Sequence, residues 1–253
     1  DAVIGEAASE TAPMTPMPAA GIDVAQLNDS ERAEIEGMIR NYLLANPEII
    51  RDAINELQRK EDEAEQIAAT KAIADNAEAI FSSPIDVVLG NPDGDVTLVE
   101  FFDYNCTYCR RAHADMKQLI ETDPKLRIVL KEFPILGDGS VAAARVALAV
   151  LVTAPEKYAA FQNALISEKG QADGERAMAV AEELGLDVQA LSAARDGPEV
   201  TKAINETYEL AAKLNLTGTP SYVTEREVVV GAVGYDALKA KIGDVRACAT
   251  AAC

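Results

Sequence analysis

The sequence predicts an α/β protein with one sheet, and three observations support this fold class. Apolar runs at residues 96–102 and 126–133 are typical of buried strands, and the segment between them has helical spacing, as in a parallel crossover unit. Helical segments bounded by Gly or Pro then fill residues 140–214. Two short runs, at 221–223 (SYV) and 227–230 (EVVV), predict a hairpin. A helical insertion therefore follows the central strands.

The other elements of this domain follow from turn and helix signals. Residues 84–89 predict a short first strand, which ends in the turn-forming run at 90–94. Residues 106–121 predict the helix between the two central strands. Residues 235–242 predict a final helix after the hairpin.

The N-terminal part of the chain has a different character. Residues 1–28 are rich in Pro and Ala without a periodic apolar face, so they predict a flexible tether. Asn28 offers a helix N-cap, and Pro47 marks a break before a long second helix that extends to about residue 79. The thin apolar stripe of that helix favours contact with another chain, and packing on its own domain remains the alternative. The predicted organisation is a tether at 1–28, a helical oligomerisation extension at 29–82, a globular domain at 83–246 with its insertion at about 138–215, and a Cys-containing tail at 247–253.

The composition excludes several classes of function. The chain has 253 residues and a formal net charge of −19, from 42 acidic and 23 basic residues. Nucleic acids and anionic membrane surfaces are therefore disfavoured as partners, because both attract basic faces. No apolar run approaches the length of a membrane span. The first residues lack the basic and apolar regions of a signal peptide, which fits a cytosolic protein or a secreted one after cleavage.

The most informative motif is the pair Cys106 and Cys109 at the start of a predicted helix. The first thiol faces unpaired backbone N–H groups and the positive end of the helix dipole, and both favour the reactive thiolate. The second thiol lies one turn further on, where it can close a disulfide or displace a partner from a mixed one. This spacing is typical of thiol–disulfide exchange.

The remaining cysteines and the single histidine leave alternatives open. Cys248 and Cys253 could close a small loop disulfide or both be free, and a disulfide there would support an oxidising compartment. A four-cysteine zinc site is disfavoured, because nothing near the cysteines resembles the turns of a zinc ribbon. His113 is interpreted as a surface or half-buried helical residue, since one His and two Cys leave a ligand set incomplete. No metal and no cofactor is predicted.

Three ordered motifs resemble the DsbA family of thioredoxin-fold oxidoreductases. They are residues 99–109 (VEFFDYNCTYC), 131–137 (KEFPILG) and 217–223 (TGTPSYV). The resemblance covers about residues 84–245 and implies a thioredoxin fold with a helical insertion. The charged helix ahead of this domain resembles the suppressor-of-copper-sensitivity subgroup. In that subgroup an N-terminal helical region joins three catalytic domains, which implies a homo-oligomer and a trimer.

The resemblance also implies roles for the residues of the motifs. Cys106 resembles the nucleophile and Cys109 the buried resolving thiol. Thr219 and Pro220 match the loop whose proline is cis in this fold and lies against the cysteine pair. The backbone of Thr219 is then expected to pair with an extended substrate peptide, as in strand addition.

The resemblance has two further consequences for the chemistry. Glu100 resembles a buried acid that relays protons to the second thiol, and a solvated acid at a strand edge is the alternative. Glu132, at a strand end, is interpreted as structural. The pair encloses Thr107 and Tyr108, where better-known members often carry a histidine, so a milder potential than that of the strongest oxidants is expected.

The sequence therefore predicts a thiol–disulfide oxidoreductase that acts on protein disulfides, as an isomerase or reductase. Its expected location is the periplasm, in a mature form without a signal peptide, and its clients are misfolded or oxidised proteins. A membrane thiol reductase of the DsbD type is the implied partner, and the subgroup suggests a link to copper tolerance. Two alternatives remain: a dithiol oxidase that donates disulfides, and a copper-binding or holdase protein. In the second, the cysteine pair would serve as ligands, because Cu(I) accepts two thiolates.

Overall fold

The computed structural model describes residues 27–250 of the chain, which divides into two compact units, residues 1–60 and 61–253. Most of the predicted tether and the residue Cys253 lie outside the described part. The predicted pairing of Cys248 with Cys253 therefore lies outside it as well. Among the described residues, no helix combines the length and the apolar character that crossing a bilayer requires.

The first unit contains α1 (Asp29–Ala45) and the beginning of α2 (Glu48–Asp75). Asn28 caps α1 as predicted: its side chain accepts from the N–H groups of Ser30 and Glu31, and Glu31 accepts from the Asn28 N–H in return. The first helix ends at Ala45 and the second begins at Glu48, so the chain leaves the helical conformation around Pro47, as the sequence indicated. Large apolar side chains of this unit are exposed, namely Met38, Ile39, Tyr42, Leu44, Ile49, Ile50, Ile54 and Leu57.

The long second helix is shorter than the sequence predicted. It ends at Asp75, and a separate helix α3 (Ala77–Phe81) follows. The side chain of Asn76 donates to the carbonyl of Ala72, which ends α2 locally. The α3 carbonyls of Ala79 and Phe81 accept bonds of 2.8 Å from two cationic side chains of the sheet, Lys131 and Arg127. These tertiary contacts hold α3 against the sheet as a helix separate from α2.

The second unit is built on a five-stranded mixed sheet in the order β1-β3-β2-β4-β5. Its strands are β1 (Val87–Gly90), β2 (Val96–Phe102), β3 (Leu126–Glu132), β4 (Ser221–Val223) and β5 (Val228–Val230). Strands β2 and β3 are parallel and joined by α4 (Thr107–Thr122), so the predicted crossover unit is confirmed. The other pairs are antiparallel, including the predicted hairpin of β4 and β5. The expected thioredoxin fold is thus present.

A helical insertion connects β3 to β4, as predicted. It comprises α5 (Asp138–Thr153), a short 3-10 helix (Pro155–Lys157), α6 (Tyr158–Ser167), α7 (Gly174–Glu183), α8 (Val188–Ala194) and α9 (Pro198–Lys213). The last helix, α10 (Tyr235–Thr250), extends beyond the predicted end at residue 242. Arg246 binds Asp95 and Asp123 on neighbouring loops, and Val245 is buried, so tertiary contacts support the additional turns.

The core lies on both faces of the sheet. Because side chains alternate along a strand, Leu98, Glu100 and Phe102 of β2 share one face, and Val99 and Phe101 share the other. The first face packs with α4, α10 and the insertion. The second packs with α9 and with Ile73 and Ile80. Glu100 therefore lies on the face of the sheet that packs against α4, the helix of the cysteine pair.

Candidate active site

The site begins at the N-terminus of α4, where Cys106 is the N-cap residue. Its backbone is extended, with φ −75° and ψ 114°, and the helix starts at Thr107. The Cys106 sulfur accepts a hydrogen bond from the Cys109 N–H at 3.4 Å. The sulfur therefore occupies the place where an N-cap oxygen usually satisfies a free helix donor, as the sequence predicted.

A second segment, distant in sequence, completes the site. The Cys106 sulfur lies 3.1 Å from the carbonyl oxygen of Thr219, to which the thiol donates. The peptide bond between Thr219 and Pro220 is cis. Two further bonds fix this loop: the Ser221 hydroxyl donates to the Gly218 carbonyl at 2.7 Å, and the Pro220 carbonyl accepts from Gly231 at 2.8 Å. The structure thus brings together Cys106, Cys109, Thr219 and Pro220, as the motifs implied.

The two thiols of the pair have different surroundings. Cys109 is fully buried, whereas Cys106 keeps 6 % of its surface exposed. Burial raises the pKa of Cys109, the charge of Glu100 raises it further, and a backbone hydrogen bond from Asp103 lowers it. Cys109 therefore holds its proton strongly and needs a base before it can attack a disulfide.

Glu100 is buried beneath the pair, with 4 % of its surface exposed, so the alternative of a solvated acid at a strand edge is wrong. The central position of β2 in the sheet explains the difference. Burial raises the pKa of Glu100 to about 8. Its neighbours across the sheet are Leu130 on β3 and Tyr222 on β4, neither of which is a cation. No hydrogen-bond partner of the Glu100 carboxyl occurs among residues 27–250. An acid in this setting can exchange a proton near neutral pH.

The loop ahead of Cys106 is held by a buried carboxylate that sequence reasoning missed. Asp103 accepts from the Asn105 N–H and the Ser140 hydroxyl, both at 2.8 Å, and from the Leu136 N–H at 3.0 Å. The Asn105 side chain in turn bonds both backbone groups of Ala172. This network joins the loop to the insertion. The Asp-x-Asn spacing before the N-cap was the available signal, because such residues favour local turns.

A third buried acid, Glu132, lies on the same face of the sheet as Glu100. It accepts from the hydroxyls of Tyr104, at 2.9 Å, and Tyr158. Burial raises the pKa of Glu132 to about 8, although the two hydrogen bonds lower it. The interpretation of Glu132 as structural remains a prediction. Its position at a strand end gave no indication of this burial, because both tyrosines come from other segments.

His113 is half-buried in α4 and directed toward the insertion. Its Nε2 atom lies 3.0 Å from Asn163 Oδ1. Burial lowers the pKa of His113, and the bond with Asn163 opposes that shift. Within the described part of the chain, no three His, Cys, Asp or Glu side chains come together in an arrangement that could hold a metal ion.

The surface around Cys106 carries exposed apolar side chains. Tyr108, between the two cysteines, is 58 % exposed and its ring lies under the Arg111 guanidinium at 5.1 Å. Leu136 is 50 % exposed, and its N–H is bound to Asp103 in the loop before Cys106. The surface beside the thiol is therefore partly apolar.

A cysteine pair at the N-terminus of a crossover helix, set against a cis-proline loop on a thioredoxin fold, defines a thiol–disulfide oxidoreductase. Comparison with known families agrees with that class. The chain belongs to the DSBA-like thioredoxin domain family, which matches residues 97–243. Residues 31–64 match the Copper resistance protein ScsC N-terminal domain.

Solved structures show the same relationship. A thioredoxin-like oxidoreductase from Silicibacter pomeroyi DSS-3 is 46 % identical, with a TM-score of 0.65, over 68 % of this chain and 98 % of the other. A linker-deletion mutant of Proteus mirabilis ScsC is 26 % identical, with a TM-score of 0.68, over 89 % of this chain and 99 % of the mutant. A periplasmic thioredoxin-like protein from Salmonella enterica serovar Typhimurium is 25 % identical, with a TM-score of 0.58, over 66 % and 94 %.

One curated relative is much longer than this chain. The Na(+)/H(+) antiporter NhaA of Herminiimonas arsenicoxydans is 27 % identical over 154 residues. The match covers 60 % of this chain and 24 % of the antiporter, so the chain spans about a quarter of that relative's length.

Proposed function

We propose that this oxidoreductase is a periplasmic disulfide isomerase or reductase whose substrates are disulfides of misfolded or oxidised proteins. The observation that carries the proposal is the position of the Cys106 sulfur, between the Cys109 N–H and the Thr219 carbonyl. This position supplies a helix N-terminus for a thiolate and a backbone edge for a client peptide.

The proposed reaction begins when the Cys106 thiolate attacks one sulfur of a client disulfide. A mixed disulfide forms and the other client sulfur leaves as a thiolate. In isomerisation, a client thiolate attacks the client sulfur bound to Cys106, forms a new client disulfide and restores the Cys106 thiolate. In reduction, Cys109 gives its proton to Glu100 and attacks the Cys106 sulfur. The Cys106–Cys109 disulfide then forms and the client leaves with two electrons.

Client binding is proposed to use the Thr219 backbone. When Cys106 is protonated, its S–H group donates a hydrogen bond to the Thr219 carbonyl. A mixed disulfide has no such hydrogen, so the carbonyl becomes free to accept from a client N–H. Main-chain pairing of this kind is tolerant of sequence, and the exposed Tyr108 and Leu136 add apolar contact. That combination suits an enzyme with many clients.

The N-terminal extension is proposed to hold several catalytic domains together as a homotrimer. Exposed apolar residues along α1 and α2 support this, because such a stripe is stable when another helix covers it. The match of residues 31–64 to the ScsC N-terminal domain and the likeness to Proteus mirabilis ScsC add further support. The same likeness supports a role in copper tolerance through repair of damaged disulfides.

Isomerase and reductase activity both require a reduced cysteine pair. A membrane thiol reductase of the DsbD type is the proposed donor of electrons, which would enter through the Cys106–Cys109 disulfide. The similarity to a periplasmic thioredoxin-like protein supports a periplasmic location.

Reactivation of scrambled ribonuclease tests the proposal. The reduced protein should restore ribonuclease activity, Cys106→Ser should abolish the effect, and a copper chelator should leave it unchanged. Loss of reactivation on chelation would instead favour the copper-ligand alternative. A reduction potential close to that of the strongest dithiol oxidants would favour disulfide donation over shuffling.

A further inference from the structure

The hydroxyl of Tyr222 is a buried polar group without a visible partner. Tyr222 lies on β4 with none of its surface exposed, and its hydroxyl has no hydrogen-bond partner among residues 27–250. The other fully buried tyrosines, Tyr104 and Tyr158, both donate to Glu132. Buried hydroxyls are normally paired, so the isolation of this one calls for a physical reason.

The register of the sheet places Tyr222 beside the proposed proton acceptor. Tyr222 and Glu100 are direct partners in the antiparallel pair of β4 and β2, so both side chains lie on the same face of the sheet. That face also holds Cys106 and Cys109. The titratable groups whose charges act on the Tyr222 hydroxyl are Glu100 on β2, Cys109 and Asp115 on α4, and Cys106 at its N-cap.

Two groups of complementary chemistry are therefore neighbours on one buried face of the sheet. The Tyr222 hydroxyl can donate and has no partner among residues 27–250. The Glu100 carboxylate can accept, and burial is the one cause of its raised pKa. They do not bond each other directly. One water molecule between them would satisfy both, and buried waters typically serve such groups. Glu100 itself is not completely sealed, since 4 % of its surface is exposed to solvent.

We propose that Tyr222 is a positioning residue of the resolving step, whose hydroxyl donates through one bound water to the Glu100 carboxylate while Glu100 takes the proton of Cys109. This inference rests on the proposed role of Glu100. In the step, the proton moves from Cys109 Sγ to Glu100, and the bond between Cys109 and Cys106 forms. The bond between Cys106 and the client sulfur breaks, and the client sulfur leaves as a thiolate with the bonding electrons.

The proposed hydrogen bond stabilises the ionised form of Glu100 more than its neutral form. Burial alone raises the pKa of Glu100 to about 8, and a donor aimed at the carboxylate lowers that pKa. Tyr222 would thereby keep part of Glu100 in its base form near neutral pH. A phenylalanine at this position would fill the same space without that effect.

Reaction of the reduced full chain with 5,5′-dithiobis(2-nitrobenzoate) separates the two sulfur steps. The first release of coloured thiolate reports attack by Cys106, and the second reports displacement by Cys109. In Tyr222→Phe we expect the first phase to be unchanged. The second phase should slow about tenfold at pH 7, and its pH midpoint should rise by about one unit. Tyr235→Phe, which removes a hydroxyl on α10, is the matched control and should change neither phase.

A double-variant comparison separates positioning from packing. If Tyr222 acts through Glu100, adding Tyr222→Phe to Glu100→Gln should not slow the second phase further. A second phase in Tyr222→Phe with the wild-type rate and pH midpoint would overturn the inference. So would a further tenfold loss in the double variant. If the wild type shows neither phase, the proposed function itself is wrong, and the role of Tyr222 is then excluded with it.

Discussion

The thiol of Cys106 donates to the carbonyl of Thr219 over 3.1 Å, although the two residues are 113 positions apart in the chain. The bond joins the helix that holds the nucleophile to the loop that is expected to bind the client. It also couples the state of the sulfur to this loop, because only the protonated thiol can donate, whereas the thiolate and a mixed disulfide cannot. The redox site is therefore a product of the tertiary fold and cannot exist in the CxxC helix alone.

The two thiols should differ strongly in reactivity toward a small alkylating reagent. Iodoacetamide at pH 8 should modify Cys106 in the native reduced protein at least about tenfold faster than Cys109. The reason is that Cys109 is fully buried and burial raises its pKa. Tandem mass spectrometry of the labelled peptide measures the ratio. In denaturant the two rates should converge, and similar rates in the native protein would contradict the buried position of Cys109.

Stability should fall as the pH rises from about 4.5 to about 8. Burial raises the pKa values of Glu132 and Glu100 from 4.5 to about 8, so between these limits the unfolded chain releases protons that the folded protein keeps. Their contribution is complete below pH 4.5 and is lost as the pH approaches 8, with a change of up to about 5 kcal/mol for each acid.

Glu132→Gln should remove roughly half of the dependence of the unfolding free energy on pH. The reason is that Gln still accepts from Tyr104 and Tyr158 but cannot ionise. Urea unfolding at pH 5, 6, 7 and 8 measures the effect. Glu100→Gln is the matched variant and should remove the other half. A wild-type stability that is constant over this range would show that neither acid has a raised pKa.

The ion pair of Lys131 and Asp86 should be important for stability. The two side chains are in direct contact and almost fully buried, and Lys131 also donates to the Ala79 carbonyl. Burial raises the pKa of Asp86 and lowers that of Lys131, and the opposite charge of the partner counteracts both shifts. Lys131→Met leaves a buried carboxylate unpaired and should cost about 3–5 kcal/mol of unfolding free energy.

Urea denaturation of Lys131→Met and of the double variant Lys131→Met/Asp86→Asn tests this expectation. The double variant should recover part of the loss, because no unpaired charge remains. Lys202→Met is the control: its pair with Glu206 is exposed at the surface, so its loss should cost less than about 1 kcal/mol. Equal costs for the two single variants would contradict the buried ion pair.

The oligomeric state should depend on the apolar stripe of α2. Ile54→Lys combined with Leu57→Lys places charges on two exposed apolar positions, so if the proposed trimer forms, light scattering should show this variant as a monomer. Asp52→Lys, on the opposite side of the helix, should leave the mass unchanged. The rate of Cys106 alkylation should be the same in all three proteins. A wild-type chain that is already monomeric would refute the proposed trimer.

The sequence predicted the local elements well, because each has a local signal. The Asn28 capping box, the break at Pro47 and the helix start after Cys106 depend on residues within one turn. Strands β2 and β3 followed from continuous apolar runs between turn-forming residues. The family resemblance added the one long-range relationship, that of the cysteine pair with Thr219 and Pro220.

The features that the sequence did not predict depend on distant partners. The end of α2 at Asp75 follows from sheet cations that bind the carbonyls of α3, and no Pro or Gly marks that position. The burial of Glu132 depends on tyrosines 28 and 26 residues away, and the Lys131 pair spans 45 residues. Periodicity within a window of a few turns carries no information on such contacts.

The helical insertion also orders events on the ribosome. Cys106 leaves the exit tunnel 113 residues ahead of Thr219, which corresponds to roughly ten seconds of translation. During that interval the nascent chain carries a dithiol without the loop that is proposed to bind clients. The complete redox site therefore exists only after the insertion and the loop beyond it have been synthesised.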